Sequence, residues 1–182
     1  MSRVGLRERA ERNWAARRRA TIAPVTISVG AETTLDYPAD TVWEFLSRPE
    51  SMVILQDDVT AAFWVPETPA GEVGGVLCVL VLFPSGRRAG ALYEVVETGP
   101  GLRSASVCLS SVMPFRSESE VIPVDERSCV FRFAITTAAD PSLRSSVADE
   151  QRKDIDLLFK RVREALNPEG ANTEDGPVDP QG

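Results

Sequence analysis

The fold is decided by one stretch near the end of the chain, residues 142–167, which reads SLRSSVADEQRKDIDLLFKRVREALN. The preceding Asp140-Pro141 pair marks a helix start, and the following Asn167-Pro168 pair marks its end. Successive helical residues turn by about 100°, which brings the apolar side chains onto one face. These are Val147, Ile155, Leu158, Val162 and Ala165. A helix with such a long apolar stripe needs a broad apolar surface to cover it.

Seven short runs upstream predict the strands of that surface. In the first run, Val25–Leu35, apolar residues alternate with small or polar ones, which is typical of a half-buried strand. Six further strands are predicted between turn residues: Val59–Val65, Gly75–Phe83, Ala89–Glu97, Leu102–Ser110, Arg116–Val124 and Cys129–Thr137. Because no long helix interrupts these six, we expect an antiparallel meander.

Helix signals lie between the first two strands. Pro38 starts a short helix that we expect to end near Arg48, because a residue before proline, here Pro49, avoids helical angles. Residues 52–55 predict a second helical turn. This order of elements predicts an α+β fold, in which a curved antiparallel sheet of about seven strands wraps around the long C-terminal helix.

Three patterns resemble the START-like, or SRPBCC, superfamily, whose helix-grip fold has this order of elements. They are ADTVWEFLSRPE at residues 39–50, PAGEVG at 69–74, and YEVVE at 93–97 followed by PGLR at 100–103. The resemblance covers about residues 23–167. It implies a cavity between the sheet and the long helix that holds a hydrophobic small molecule, as in the polyketide cyclase branch of the superfamily.

The 182-residue chain has a net charge of −7 and contains no histidine. A nucleic-acid-binding domain is usually basic, so no nucleic-acid partner is expected. The lack of histidine excludes Ser-His-Asp and Cys-His catalysis and every His-ligated metal site. We therefore expect no metal and no cofactor, and any chemistry has to use carboxylates, other side chains or bound water.

Charge divides the chain into three parts. Residues 1–21 form an arm with seven arginines and two glutamates, residues 22–167 form a single domain, and residues 168–182 hold four acidic and no basic residues. The acidic tail has almost no apolar content and is predicted to be disordered. The arm is either a solvated tail or a dock for an acidic partner, such as an acyl carrier protein.

The three cysteines, Cys78, Cys108 and Cys129, lie in apolar runs at spacings that fit no zinc or redox motif. They are predicted to be reduced core residues. The longest apolar run, Val76–Phe83, is too short to cross a membrane, and the arginine-rich start lacks the apolar region of a signal peptide. We therefore expect a cytoplasmic protein without membrane association.

The run Gly75–Phe83 shows no alternation, which predicts a strand buried on both faces. The outer face of a helix-grip sheet normally meets water. We therefore expect a cover over this strand, either a second copy of the chain in a homodimer or the N-terminal arm with Trp14.

Two polar residues interrupt the apolar stripe of the long helix and are the first site candidates. A desolvated Asp154 would have a raised pKa and could move a proton; the alternative is an ion pair with a neighbouring arginine or lysine. Gln151 either binds a ligand carbonyl or is a satisfied amide at a strand end. Tyr93 is a candidate hydrogen-bond donor on the fourth strand.

Apolar side chains are the candidate walls of the ligand cavity, although each also suits an ordinary core. They are Trp64, Met113, Phe115, Ile155 and Leu158. Arg132 is expected to face outward, because the residues on either side of it in the strand are apolar and form the inward face. There it is expected to pair with Glu118 or Glu120 across strands.

The leading hypothesis is a cofactor-independent cyclase or dehydratase acting on a polyketide or similar apolar metabolite. Asp154 would act as acid and base, while Gln151 and Tyr93 orient carbonyl groups. A non-catalytic carrier of a lipid, quinone or terpenoid is the principal alternative, and an interaction module with a vestigial pocket is the third. Polar groups converging on one point would indicate an enzyme, and a uniformly apolar cavity a carrier.

Overall fold

A computed structural model of the chain describes residues 23–109 and 115–167. The arm 1–21, the tail 168–182 and Met113 lie outside the described residues. The strands are β1 Val25–Leu35, β2 Val59–Trp64, β3 Val76–Leu82, β4 Arg88–Thr98, β5 Leu102–Cys108, β6 Phe115–Pro123 and β7 Cys129–Ala139. The helices are α1 Ala39–Ser47, α2 Pro49–Leu55 and α3 Arg144–Leu166, with a 3-10 turn, Pro141–Leu143, before α3. The α+β class and the helix-grip arrangement are confirmed.

One antiparallel sheet contains all seven strands in the order β1-β7-β6-β5-β4-β3-β2. The meander predicted for β2 to β7 is confirmed. β1 lies at one edge of the sheet, where its eleven residues pair with β7. We call the face of the sheet that packs on α3 the concave face, and the opposite face the convex face.

The two short helices are separated at the position that the proline predicts. Arg48 has an extended backbone, with φ −82° and ψ 132°, between the end of α1 and the start of α2 at Pro49. α1 buries Ala39 and Val42, and α2 lies against β2.

The core lies between α3 and the strands β1 and β7. Ile155, Phe159 and Val162 are at most 5% exposed, and the Phe159 ring meets Phe131 edge-on with centroids 5.3 Å apart. Burial of each such side chain stabilises the fold by about 1.5–3 kcal/mol. This packing anchors the long helix along one side of the sheet, over β1 and β7.

The three cysteines are free thiols, as predicted. Cys108 and Cys129 are buried, and Cys78 is half-buried. Burial raises the pKa of the Cys129 thiol, which keeps it protonated and unreactive.

The loop before β3 needs its glycine. A Cβ on Gly75 would lie 2.1 Å from the Pro69 carbonyl oxygen, so no other residue fits there. The Gly74 amide and the Gly75 carbonyl bond the backbone of Val95, both at 2.8 Å. The PAGEVG pattern and Gly75 therefore fasten this loop to β4.

A β-bulge changes which side chains of β4 reach each face. Val95 pairs with Ser106, and Glu97 pairs with Ala105, so Val96 is an extra residue in the strand. Val95 faces the concave side and is 4% exposed, whereas Glu97 reaches the convex side.

The convex face of β2 and β3 is apolar. Leu80 and Leu82 are each 38% exposed, and Phe63 on β2 is 45% exposed. Burial on both faces was the expectation for this strand, and nothing within the described residues covers the convex side. Whether the arm or a second copy covers it stays a prediction.

Candidate functional site

The orientation of α3 is fixed by an arginine on each flank. Arg161 donates a hydrogen bond of 2.7 Å to the Leu55 carbonyl at the end of α2 and pairs with Asp57. Arg163 donates to the Thr33 hydroxyl on β1. One flank of α3 therefore faces the β1 edge, and the other faces across the sheet toward α2 and β2.

Asp154 lies on the flank that faces across the sheet, because residues 154, 158 and 161 are spaced four and three apart on one side of the helix. The Asp154 side chain is exposed rather than desolvated, and the burial of part of it raises the pKa of its carboxyl, as does the negative Glu150. Within the described residues Asp154 makes no ion pair, so the arginine or lysine partner of the alternative interpretation is not seen there. An unpaired carboxyl with a raised pKa suits proton transfer.

Tyr93 stands in a row of side chains that crosses the concave face. Trp64 pairs with Leu77, Leu77 with Tyr93, and Tyr93 with Cys108. The Phe115 ring meets Tyr93 at 5.9 Å between centroids in an edge-on arrangement. The register thus brings Trp64, Tyr93 and Phe115, three predicted site residues, onto the same side of the sheet as α3.

Burial raises the pKa of Tyr93 to about 12, with smaller contributions from Cys108 and Asp58. The phenol therefore stays protonated at neutral pH. It can donate a hydrogen bond to a carbonyl or enolate oxygen, but it is too weak an acid to exchange protons readily near pH 7.

The other predicted residues of α3 differ in what they offer a ligand. Leu158 is partly exposed on the flank of Asp154, but Ile155 is 1% exposed and belongs to the packed core, so it presents almost no surface. The Gln151 Oε1 atom is buried and has no hydrogen-bond partner, contrary to the satisfied amide of the alternative interpretation.

The concave face of β3 to β6, together with the flank of α3 that carries Asp154, forms what we call the groove. Trp64, Tyr93, Phe115 and Leu158 are each partly exposed along it. Whether these side chains enclose the cavity implied by the sequence resemblance stays a prediction.

Sequence reasoning missed four serines in the groove. They are Ser104 and Ser106 on β5 and Ser117 and Ser119 on β6, and they pair across the two strands. The only signal in the sequence is serine at alternate positions, in Ser104-Ala105-Ser106 and again in Ser117-Glu118-Ser119. Neither triplet has an apolar face that would show which side chains point inward.

Charged residues occupy the opposite, convex face. Arg132 points outward, as predicted, and lies 2.7 Å from Glu32 and 3.5 Å from Glu120. Arg116 lies 2.6 Å from Glu97 and 2.8 Å from Glu118. The charges of this face are thus matched to one another.

Two surface depressions lie on other parts of the surface, although Ser119 contributes to the lining of the first. One, of about 540 Å³, is on the convex face between Glu32, Arg103 and Arg132. The other, of about 570 Å³, lies between the start of α1 at Pro38 and the end of β6 at Pro123. Neither is lined by a described candidate residue of the predicted site.

The described residues contain neither a cluster of metal ligands nor a membrane-spanning helix. No group of three or more histidine, cysteine, aspartate or glutamate side chains is placed to hold a metal ion there. In the same part of the chain, no helix has the length and apolar character needed to cross a membrane.

By sequence, no protein-family model and no curated protein matches the chain. By structure, a START superfamily protein from Mycobacterium smegmatis is similar, with a TM-score of 0.65 at 11% identity over 78% of this chain and 97% of that one. The chain has the helix-grip fold of the START superfamily. At this level of identity the likeness establishes the fold alone.

Two further solved proteins have a similar fold. Truncated norcoclaurine synthase from Thalictrum flavum has a TM-score of 0.61 at 14% identity, covering 80% of this chain and 96% of that one. The di-domain ARO/CYC protein BexL from the BE-7585A biosynthetic pathway has a TM-score of 0.62 at 15% identity, covering 78% of this chain and 48% of that one.

Proposed function

We propose that this chain binds a hydrophobic small molecule in the groove and acts on it as a cofactor-independent cyclase or dehydratase of polyketide-like metabolism. The observation that carries the proposal is Asp154, an unpaired carboxyl with a raised pKa on the flank of α3 that faces the groove. The fold supports ligand binding, and the structural likeness to an ARO/CYC protein supports the reaction class.

The proposed reaction uses Asp154 as a base and then as an acid. Its carboxylate removes a proton from a carbon between two carbonyl groups. The resulting enolate carbon attacks another carbonyl group, further along the substrate, to form a carbon–carbon bond. The protonated carboxyl then returns the proton to the alkoxide. Departure of this hydroxyl with a neighbouring hydrogen releases water and leaves a double bond.

Hydrogen-bond donors complete the proposed site. The Tyr93 phenol, protonated at neutral pH, donates to the enolate oxygen, and the Gln151 amide nitrogen donates to a substrate carbonyl. These interactions position the substrate and stabilise developing charge, and each contributes a few kcal/mol in characterised enzymes.

A non-catalytic carrier of a lipid, quinone or terpenoid is the second candidate. The aromatic and aliphatic lining of the groove, with Trp64, Phe115 and Leu158, favours it, because a carrier needs apolar contact and no reacting group.

Mass spectrometry of molecules that co-purify with the protein identifies the ligand and supplies the substrate for an assay. Asp154→Asn is expected to abolish turnover and to spare ligand binding. Asp156→Asn, which removes the same charge from the opposite flank of α3, is the matched control and should retain activity. Full turnover by Asp154→Asn would refute the assigned role, and ligand binding without turnover by the unaltered protein would favour the carrier.

The proposal includes two partners and a location. The arginine-rich arm docks an acidic carrier protein, with an affinity that falls steeply as salt rises. A second copy covers the convex apolar surface around Phe63, Leu80 and Leu82 in a homodimer. The cytoplasmic location expected from the sequence completes it, and cell fractionation tests that part.

A further inference from the structure

The floor of the groove carries four hydroxyl groups in a compact array. Ser104 pairs with Ser119, and Ser106 pairs with Ser117. On the next strand, Ser117 is opposite Ile135, and Ser119 is opposite Phe133. Ile135 and Phe133 both pack against the hydrophobic core below α3, so the four serines lie on the concave face.

These hydroxyls have no hydrogen-bond partner within the described residues, and each serine is partly exposed. Other serines of the chain differ: Ser28 bonds Thr136 at 3.0 Å, and Ser146 bonds the Leu143 carbonyl at 2.9 Å. The four groove hydroxyls are therefore left to bond water or a ligand.

The array has a definite size. Side chains directly opposite each other on paired strands lie about 5 Å apart, and those two residues apart on one strand lie about 7 Å apart. Ser104, Ser106, Ser117 and Ser119 therefore form a rectangle of roughly 5 by 7 Å. A rigid ring system of two or three fused rings spans such a rectangle.

A second polar group without a partner lies beside the groove. The Gln151 Oε1 atom on α3 is buried and unpartnered. Gln151 lies one turn before Asp154 and Ile155 on the helix, between the core stripe and the flank that faces the groove. Because the protein covers this atom, a ligand hydroxyl reaches it only after the Gln151 side chain turns toward the groove.

These observations separate two ligand classes. An alkyl chain, such as that of a fatty acid, would displace water from the serines without replacing its hydrogen bonds, and buried polar groups without partners weaken binding. A ring system with several oxygen atoms would replace those bonds while its apolar faces contact Trp64 and Phe115.

We propose that the groove selects a multiply oxygenated aromatic ligand, with hydroxyl or carbonyl oxygens bound by Ser104, Ser106, Ser117 and Ser119. The inference rests on the proposed ligand-binding function, but it does not depend on whether the protein is a catalyst. It distinguishes this groove from the apolar interior that would suit a lipid or terpenoid.

The test compares naphthalene with 2,7-dihydroxynaphthalene, whose two hydroxyls lie on one edge of the same ring system. Both are titrated into the full chain labelled with ¹⁵N, and binding is followed by amide chemical shifts. The diol is expected to bind about tenfold more tightly, as for one net hydrogen bond. In the double variant Ser106→Ala/Ser117→Ala this preference should fall to less than about threefold.

Two further variants make the result specific. Ser106→Thr/Ser117→Thr retains both hydroxyls and should retain the preference for the diol, whereas Ser28→Ala removes a hydroxyl from the convex face and should change neither affinity. Equal affinities of the unaltered protein for both probes, or an unchanged preference in the alanine double variant, would overturn the inference and leave hydrophobic binding intact. If neither probe shifts any groove resonance, the proposed binding function fails with it.

Discussion

The two faces of the central sheet differ in whether their polar side chains have partners within the protein. On the convex face Arg116 is within 2.8 Å of two glutamates, and Arg132 also pairs with two glutamates. On the concave face the groove serines, Asp154 and the Gln151 carbonyl have no such partners among the described residues. The convex groups satisfy one another, whereas the half-buried serines and the exposed Asp154 on the concave side are available to a ligand. The same strands thus carry paired charges on one face and, among the described residues, polar groups without partners on the other.

The largest difference between the two faces is expected in the free energy of unfolding that is lost when a phenylalanine is replaced by alanine. Phe131 is 1% exposed on the concave side, and Phe63 is 45% exposed on the convex side. Phe131→Ala should lower the free energy of unfolding by about 3–5 kcal/mol, because it leaves a cavity under Phe159. Phe63→Ala, with the same change of side chain, should cost less than about 1 kcal/mol. Urea unfolding followed by circular dichroism measures both, and equal losses would contradict the contrast.

A smaller contrast is expected between an unsatisfied and a satisfied polar group. Gln151→Met removes the buried carbonyl without a partner and should stabilise the ligand-free protein by about 1 kcal/mol. Thr136→Val removes a hydroxyl that bonds Ser28 and should instead destabilise it by roughly 0.5–1 kcal/mol. Thermal unfolding of both variants provides the comparison. Destabilisation by Gln151→Met would mean that its carbonyl has a partner in solution.

The charged network of the convex face should contribute less. Arg116→Met leaves Glu97 and Glu118 with Arg103 as their remaining partner. A loss of about 0.5 kcal/mol is expected because Arg116 and the two glutamates are at least one-third exposed. Added salt at about 1 M should remove most of this difference, since exposed charges are screened. A loss of the same size in low and high salt would indicate that packing, rather than charge, is responsible.

The smallest expected effect is the pH dependence due to Asp154. Its pKa is raised in the folded protein, so the folded state holds the proton at pH values where the unfolded state has released it. Stability should therefore fall as pH rises from the unfolded pKa, about 4, through the raised value. Asp154→Asn removes this fall. The free energy of unfolding of the variant, relative to that of the unaltered chain, should therefore increase between pH 3 and pH 7. Asp156→Asn controls for the charge of α3, and an identical pH dependence in both variants would exclude the effect.

Much of the fold follows from local patterns. Val25–Leu35 has the predicted bounds, because eleven residues of alternation define a strand without reference to anything else. β2 to β7 each end within two residues of the predicted bounds, since turn residues such as glycine, proline and aspartate lie between them. Pro49 fixes the break between α1 and α2 through a constraint on its neighbour.

The candidate site could be predicted only where a polar residue interrupts an apolar pattern. Asp154 and Gln151 stand out because the stripe of α3 is otherwise apolar. The groove serines do not, because their strands alternate serine with charged or small residues and show no apolar face. Their direction depends on register with β7, where Phe133 and Ile135 reach the core, and register is a property of paired strands.

The bulge at Val96 makes β4 one residue longer than β5 over the same span. Val95 and Glu97 already pair with consecutive residues of β5, so deleting Val96 would leave a regular ladder with every side chain on its present face. Deleting Ala105 from β5 would instead place Ser104 beside Ser106 in the chain, and one of the two hydroxyls would have to leave the groove. The sheet therefore tolerates a change of length in β4 but not in β5, and one-residue gaps between chains of this fold should concentrate at the bulge.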